Sequence, residues 1–159
     1  MKITVVCVGK IKEKFYREAL GEYAKRLSKY CNFNIAEVAD EKTPEQASPA
    51  LEEQILKKEG ERILGKIPDN AYVIATAIEG KRYNSVEFSK VISELGVRGQ
   101  SNIVFVIGGS LGLHKSVKDR ANSLISFSDM TFPHQLMRVI LSEQIYRAFR
   151  ISQNEPYHK

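Results

Sequence analysis

The stretch NIVFVIGGSLGLH at residues 102–114 joins an apolar strand pattern to a loop with almost no side chains. Residues 103–107 are apolar on both faces, which is typical of a strand in the middle of a parallel sheet. Two glycines, a serine and a third glycine follow directly. Parallel α/β sheets bind ligands beyond the carboxyl ends of their strands. The stretch therefore predicts a central strand with a ligand site at its end.

Strand patterns and helix patterns alternate along the whole 159-residue chain. Besides the central strand, strands are expected at KITVVCV (2–8), FNIAEV (33–38), AYVIATAI (71–78) and LISF (124–127). This alternation is typical of an α/β domain with a mainly parallel sheet. With 43% hydrophobic residues the chain can bury one ordinary core, so we expect a single domain over residues 1–159.

Local signals predict where two of the helices begin. Thr43, followed by Pro44 and by Gln46 three residues after it, has the spacing of a capping box, so a helix is expected from Pro44 to about Ile67, with Ser48-Pro49 as the place where it could break. Ser85 is expected to cap the next helix, whose apolar positions recur with helical spacing.

The last helix pattern, QLMRVILSEQIYRAFR at residues 135–150, is the most apolar. Its apolar residues surround the helix instead of forming one stripe, so nearly every side needs cover. A second copy of the chain is the simplest cover in so small a domain. The pattern therefore predicts a homodimer that packs through this helix.

Composition limits the possible partners and locations. The net charge is +5, distributed as +1 over residues 1–70 (13 Lys and Arg against 12 Asp and Glu) and +4 over residues 71–159 (11 against 7), which favours a phosphate-rich partner such as nucleic acid.

The amino terminus is too short and carries charge too early for a signal peptide, and no apolar run approaches a membrane span, so a cytoplasmic protein is expected. Cys7 and Cys31 lack metal-binding spacing, so no metal site is predicted.

The letters GGSLG also fit the G-x-S-x-G pattern of a nucleophile elbow, in which Ser110 would act with Asp129 and either His134 or His158. Helix-forming residues begin only near Lys115, however, whereas an elbow needs a helix immediately after the turn.

The sequence also lacks the dinucleotide-binding motif and the Walker motif. A cleft of backbone groups and apolar side chains suits a flat heteroaromatic ring, such as the adenine of a cofactor.

Three segments carry a specific resemblance: VIGGSLGLH (106–114), SFSDMTFPHQLMRVILSEQIYRAF (126–149) and PYHK (156–159). They closely resemble the bacterial ribosomal RNA large-subunit methyltransferase H family, and the similarity extends over nearly the whole chain. The resemblance implies a SPOUT-type α/β fold with a mainly parallel sheet, helices on both faces and a carboxyl-terminal trefoil knot. The knotted, cofactor-binding part would span about residues 71–159 of a homodimer.

The resemblance also implies a reaction, in which the methyl group of S-adenosylmethionine is transferred to N3 of a pseudouridine in 23S rRNA within the assembled ribosome. Residues of three loops would hold the cofactor, namely Thr76, Gly108, Phe127, Ser128, Asp129, Met130, Thr131 and Phe132. The implied catalytic residues are Arg138, Arg147, Tyr157 and His158. A non-catalytic, ribosome-associated RNA-binding protein on the same fold is the alternative.

Two features of the sequence leave roles open. Where relatives often have leucine followed by an acid, this chain has Thr76 and Ala77, so that carboxylate is absent or replaced, with Glu79 as the candidate. A guanidinium in an apolar helix needs a phosphate or carboxylate partner. For Arg147, Glu143 four residues earlier is the candidate partner.

Overall fold

The structure is a computed structural model that describes residues 1–159. Its five strands are β1 (Lys2–Val8), β2 (Asn32–Val38), β3 (Tyr72–Arg82), β4 (Asn102–Ile107) and β5 (Ser123–Ser126). Its five helices are α1 (Lys14–Leu27), α2 (Pro49–Leu64), α3 (Ser85–Val97), α4 (Lys115–Arg120) and α5 (His134–Ser152). The strands form one sheet in the order β2-β1-β4-β3-β5, and every neighbouring pair is parallel. The predicted parallel sheet, with β4 in its interior, is confirmed.

The sheet separates two apolar layers, as expected for strands buried on both faces. One face of the strands packs with α1, α3 and α5, and Phe105 and Ile74 are fully buried there. The other face packs with α2 and α4, where Val106 and Val73 are fully buried. Helices on both faces of the sheet are therefore confirmed, and the carboxyl ends of the strands meet at one exposed edge.

Two predicted helix starts are wrong. The helix does not begin after Thr43: α2 begins at Pro49, at the break that the sequence allowed, and Ser48 caps it by accepting a bond of 3.2 Å from the Leu51 N–H. Asn84, and not Ser85, caps α3. Asn84 Oδ1 accepts the amide of Glu87 at 2.8 Å, and the Glu87 carboxylate accepts the Asn84 amide at 2.9 Å, so both bonds of a capping box are present.

Helix α5 is the longest helix, with 19 residues, and it lies between α1 and α3 on the sheet. Neither α5 nor another helix combines the length and apolar character needed to cross a membrane. Leu141 and Ile145 on its inner side are fully buried. Leu136 and Val139, on its outer side, are only half-buried within one chain. The apolar residues around the helix are thus partly covered by the chain's own elements, and the homodimer stays a prediction.

Strands β3 and β5 pair with an interruption. Thr76 and Lys81 are both in register with Ile125, so residues 77–80 of β3 loop out of the ladder. Gly80 is the last residue of this loop, and a Cβ atom placed on it would lie only 2.6 Å from the backbone nitrogen of Ile125. No side chain fits between the two backbones at this point.

Replacing Gly80 with alanine is expected to destabilise the fold, because the backbone of β3 or β5 must shift to admit the methyl group. Forced overpacking of this kind costs about 1–3 kcal/mol, and for a chain of this size each kcal/mol lowers the melting temperature by roughly 2–4 °C. Thermal unfolding followed by circular dichroism measures the change. Gly21→Ala is the control, since Gly21 lies in α1 with nothing within 4 Å of its Cβ position. It should be stabilising by up to about 1 kcal/mol. Equal melting temperatures for the two variants would contradict the close approach.

Candidate functional site

A pocket of about 290 Å³ opens at the carboxyl ends of β3, β4 and β5. Three loops, the start of α5 and one residue of α4 line it, with residues Thr76, Ala77, Ile78, Glu79, Ile107, Gly108, Gly109, Leu111, Gly112, Leu113, Lys118, Ile125, Ser126, Phe127, Ser128, Met130, Thr131, Phe132, His134 and Met137. Half of the lining residues are hydrophobic. The volume is near the lower end of the range for ligand sites, roughly 300–1,000 Å³. A pocket therefore lies where the sequence predicts a ligand site, at the end of the central strand.

The glycines after β4 close the loop that forms one wall of this pocket. A Cβ atom on Gly108 would lie 2.6 Å from the carbonyl carbon of Gly112, and Gly109 and Gly112 form an isolated bridge. Gly112 has a φ of +85°, in the left-handed region that favours glycine. The bare backbone thus lets residues 108–112 fold tightly on themselves and presents peptide groups to the cavity.

Side-chain bonds order the other two loops. The Thr76 hydroxyl donates to the Val106 carbonyl at 3.0 Å, which ties the end of β3 to β4. The Ser126 hydroxyl donates to the carbonyl of Ser128 at 3.2 Å, and the Ser128 hydroxyl accepts the Met130 amide at 3.0 Å. The pocket walls are therefore set by local bonds within the chain.

The structure brings seven of the eight predicted cofactor-binding residues to the pocket. Thr76, Gly108 and residues 127–128 and 130–132 all line it. Asp129 does not: it is exposed, and its carboxylate pairs with Arg82 on β3. The predicted residues other than Asp129 thus share one site.

Three ionisable side chains line the pocket, and each was outside the predicted set. Glu79 pairs with Lys118 on α4, and that bond lowers the pKa of the Glu79 carboxyl. His134 begins α5, and burial together with the nearby Arg138 cation lowers the pKa of its imidazole. Glu79 is the candidate in the sequence for the missing acid, whereas nothing in the sequence distinguishes Lys118 apart from its place in the helix after the glycine loop. The pocket therefore contains one anion, one cation and an imidazole whose neutral form is favoured.

Arg138 is fully buried and does not line the pocket. Its guanidinium donates to the carbonyls of Val8 and Gly9 at 2.7 and 2.8 Å and to Glu37 Oε1 at 2.9 Å. A buried guanidinium needs such acceptors, and here they satisfy both terminal nitrogens, whereas the buried Nε has no partner. Arg138 thereby joins α5 to the carboxyl ends of β1 and β2, next to the pocket wall formed by His134.

The other three predicted catalytic residues lie together: Arg147 is in the second half of α5, and Tyr157 and His158 follow the helix and fold back against it. The Arg147 guanidinium donates to Glu143 Oε1 at 2.7 Å and contacts His158 Nδ1 at 3.2 Å. It lies over the ring of Tyr157, 4.6 Å from the centroid. The Tyr157 hydroxyl donates to Glu143 Oε1 at 3.2 Å, and burial beside this carboxylate raises the pKa of the phenol. We call Glu143, Arg147, Tyr157 and His158 the tail cluster.

The carboxyl-terminal segment is anchored to the body of the domain. Glu155 pairs with Arg150 at 2.8 Å, and it also accepts a bond from the Tyr30 hydroxyl. The ring of Tyr157 packs edge-on against Tyr146 at 5.0 Å. The terminal residues are thus held on α5, with Tyr157 and His158 turned toward Arg147.

The pocket and the tail cluster lie apart within one chain. His134 lines the pocket at the start of α5, whereas Arg147 lies thirteen residues later. At 1.5 Å per residue, about 20 Å of helix separates them. The predicted cofactor-binding and catalytic residues therefore form two separate groups on a single subunit.

The nucleophile-elbow alternative has no support in the structure. Ser110 is exposed and does not line the pocket. Asp129 pairs with Arg82, His158 contacts Arg147, and His134 lines the pocket that Ser110 does not line, so no triad with Ser110 is formed. No group of three or more His, Cys, Asp or Glu side chains lies close enough to hold a metal ion.

Comparisons with known proteins agree on one family. The family described as "Predicted SPOUT methyltransferase" matches residues 1–158. Three relatives called "Ribosomal RNA large subunit methyltransferase H" come from Streptococcus uberis (58% identical), Clostridium acetobutylicum (60%) and Bifidobacterium adolescentis (60%). Each alignment covers all of this chain and all of the relative.

One solved structure supports the fold independently. It is described as a probable methylase family protein from Haemophilus influenzae, and it aligns with a TM-score of 0.54 at 14% identity. The alignment covers 99% of this chain and 70% of that one. At such low identity the likeness concerns the arrangement of strands and helices alone.

Proposed function

The chain belongs to the SPOUT methyltransferase family, and we propose that it methylates N3 of a pseudouridine in 23S rRNA of the assembled ribosome, with S-adenosylmethionine as the methyl donor. The observation that carries this proposal is the identity of 58–60% over full length to rRNA large-subunit methyltransferases. At the level of family and fold the resemblance seen in the sequence is confirmed.

The pocket residues fit S-adenosylmethionine. Peptide groups of the glycine loop and of residues 127–132 can form hydrogen bonds with the edge of an adenine. Leu113, Phe127 and Met137 supply apolar walls for the ring. Glu79 offers a carboxylate to a ribose hydroxyl or to an ammonium group, in place of the acid that the sequence lacks after Thr76. When bound, the cofactor supplies a methyl group activated by an adjacent sulfonium.

The tail cluster suits the other half of the reaction. When the imide N3–H of the base loses its proton to water, negative charge spreads over N3 and the flanking carbonyl oxygens. That charge is neutralised when N3 takes the methyl group, as the S–CH3 bond of the sulfonium breaks and S-adenosylhomocysteine leaves. The Arg147 guanidinium and the Tyr157 hydroxyl are donors that could stabilise that charge. Glu143 fixes the position of both. Arg138, enclosed by carbonyl oxygens, is assigned a positioning role, since it holds the start of α5 against β1.

A homodimer would bring the pocket of one chain close to the tail cluster of the other. Leu136, Val139 and Ile140 are half-buried and continue along the same side of α5 toward Arg147. If two copies pack these sides antiparallel about a two-fold axis near Ile140, midway between His134 and Arg147, the tail cluster of each copy lies beside the pocket of the other. We propose this arrangement, together with the carboxyl-terminal knot and a cytoplasmic location, as parts of the same function.

Mass spectrometry of 23S rRNA tests the proposal. Ribosomes from a strain lacking the gene are incubated with the purified protein and S-adenosylmethionine, and one methyl group is expected at N3 of a pseudouridine. Free 23S rRNA, incubated in the same way, shows whether the reaction needs an assembled ribosome. Ribosome binding without any methyl transfer would favour the non-catalytic RNA-binding alternative, and methylation of another base would limit the conclusion to rRNA methylation.

A further inference from the structure

Three lysines and a phenylalanine protrude between β1 and α1. Lys10, Lys12 and Lys14 are exposed, whereas Ile11 and Glu13 between them are half-buried. Phe15 follows with 61% of its surface exposed. We call Lys10, Lys12, Lys14 and Phe15 the basic ledge. Phe15 belongs to neither apolar layer of the core, and its ring lies 4.3 Å from that of Tyr16.

The backbone beneath the ledge is fixed. Arg17 Nη1 donates to the carbonyls of Ile11 and Lys12 at 3.2 and 2.9 Å. The Ile11 amide donates to Glu37 Oε1 at 3.2 Å, and the Lys12 amide donates to the Gln135 side chain at 3.2 Å. The lysine side chains therefore project outward from an ordered loop that is bonded to both β2 and α5.

The charges of the ledge are mostly uncompensated. Lys10 and Lys12 take part in no ion pair, and Lys14 pairs with Glu18 at 3.5 Å between two exposed side chains, a contact of little energetic weight. Glu13, the N-cap residue of α1, is the one acidic side chain among these lysines, and it forms no ion pair; the first turn of the helix adds no other, although the amino end of a helix favours negative charge. The arrangement thus contributes little to folding and leaves positive charge available to an anion.

The ledge borders the pocket. A Cβ atom on Gly9 would lie 3.5 Å from His134 Nε2, and His134 lines the pocket. Lys10 follows Gly9 directly, so the cations begin where the pocket wall ends. A polyanion that placed one nucleotide at the pocket would bring its neighbouring phosphates over the ledge.

We propose that the basic ledge binds an unpaired segment of the rRNA substrate next to the target nucleotide. Phosphates lie against Lys10 and Lys12, and a neighbouring base stacks on Phe15. Unpaired nucleotides are recognised in this way, by aromatic side chains that stack with bases and by cations that follow the backbone. The inference rests on the proposed function and names the surface that would select the substrate.

A second copy of the chain fits the ledge less well. In a two-fold contact the same patch meets itself, so the lysines of the two copies would face one another. Like charges in such a contact repel. RNA, by contrast, offers the complementary charge.

Ribosome binding by Lys10→Gln/Lys12→Gln tests the phosphate contacts. We expect the dissociation constant for ribosomes from the deletion strain to rise about tenfold, and the slope of its logarithm against log salt to fall by roughly 2. Lys57→Gln/Lys58→Gln removes the same charge from exposed positions on α2, across the sheet, and should leave both unchanged. Equal ribosome affinity for the two double variants would overturn the proposal.

Phe15→Ala tests the stacking contact. It should weaken ribosome binding about tenfold, whereas Phe15→Tyr keeps the ring and should bind as wild type does. S-adenosylmethionine affinity, measured by calorimetry, stays unchanged in each variant. If Phe15→Ala instead converts a dimer to monomers, the ledge is a contact between copies and the proposal is wrong. Failure of the wild-type protein to methylate rRNA while the salt-dependent difference persists would reject the proposed reaction and leave the ledge intact.

Discussion

Gly108→Val is expected to abolish S-adenosylmethionine binding, with a dissociation constant raised by roughly a hundredfold or more, equivalent to about 2.7 kcal/mol. The first carbon of any side chain at this position would lie 2.6 Å from the carbonyl carbon of Gly112, and no flexible group separates the two. The loop must open to admit it. Its peptide groups would then leave the wall of the pocket, so the loss of affinity follows from the changed backbone and not from a lost side-chain contact.

Calorimetric titration with S-adenosylmethionine measures this loss, and a melting curve shows whether the domain still folds. The displaced atoms belong to the turn after β4, so the strand itself is expected to stay in place. Ser110→Ala is the matched control in the same loop. Its side chain is exposed and lies outside the pocket lining, so affinity and methyl transfer should stay close to wild type. A Ser110→Ala variant that binds the cofactor but transfers no methyl, beside an active Gly108→Val, would revive the nucleophile elbow.

The sheet could be predicted from the sequence because a strand that is buried on both faces consists almost entirely of apolar residues. Residues 103–107 are apolar on both faces, and only an interior strand covered by two helix layers tolerates that pattern. The glycine loop was equally visible, although the sequence could not show what the missing side chains make room for. In the structure they make room for the loop's own backbone at Gly112.

The start of α2 was harder to predict because two nearby segments have the same helix-start signal. Thr43 with Pro44 and Ser48 with Pro49 both have the form of a cap followed by proline. Tertiary contacts decide between them. The Glu41 amide donates to Glu59 Oε1 at 3.0 Å, and the Glu41 carboxylate pairs with Arg62, so the segment before Ser48 is held along the side of α2. No pattern within ten residues contains that information.

The Asn84 cap, in contrast, was within reach of the sequence. Asn84 and Glu87 have the spacing of a capping box, and both bonds form. The pairing of Asp129 with Arg82 was out of reach, since 47 residues separate the partners. For the same reason the sequence could suggest which residues act in the reaction but not that about 20 Å of α5 divides them.

That division leads to the second large expected effect. Arg147→Ala should lower the turnover number by about a hundredfold or more, because it removes a preorganised donor near the reacting base. The cofactor pocket at the other end of α5 stays intact, so S-adenosylmethionine affinity is expected to be unchanged. Gly108→Val has the opposite pattern, with a damaged pocket and an intact tail cluster.

Co-expression of the two inactive variants is therefore expected to restore activity. In the proposed antiparallel dimer, a mixed pair would place the pocket of the Arg147→Ala subunit beside the tail cluster of the Gly108→Val subunit, which completes one of the two sites. Random assembly makes half of the dimers mixed, so about a quarter of wild-type activity should return. Single-turnover methylation of ribosomes by the mixed dimer, separated by two affinity tags, measures it directly. Activity no greater than that of the two parent variants would mean that each chain completes its own site, and the antiparallel arrangement of α5 would be wrong.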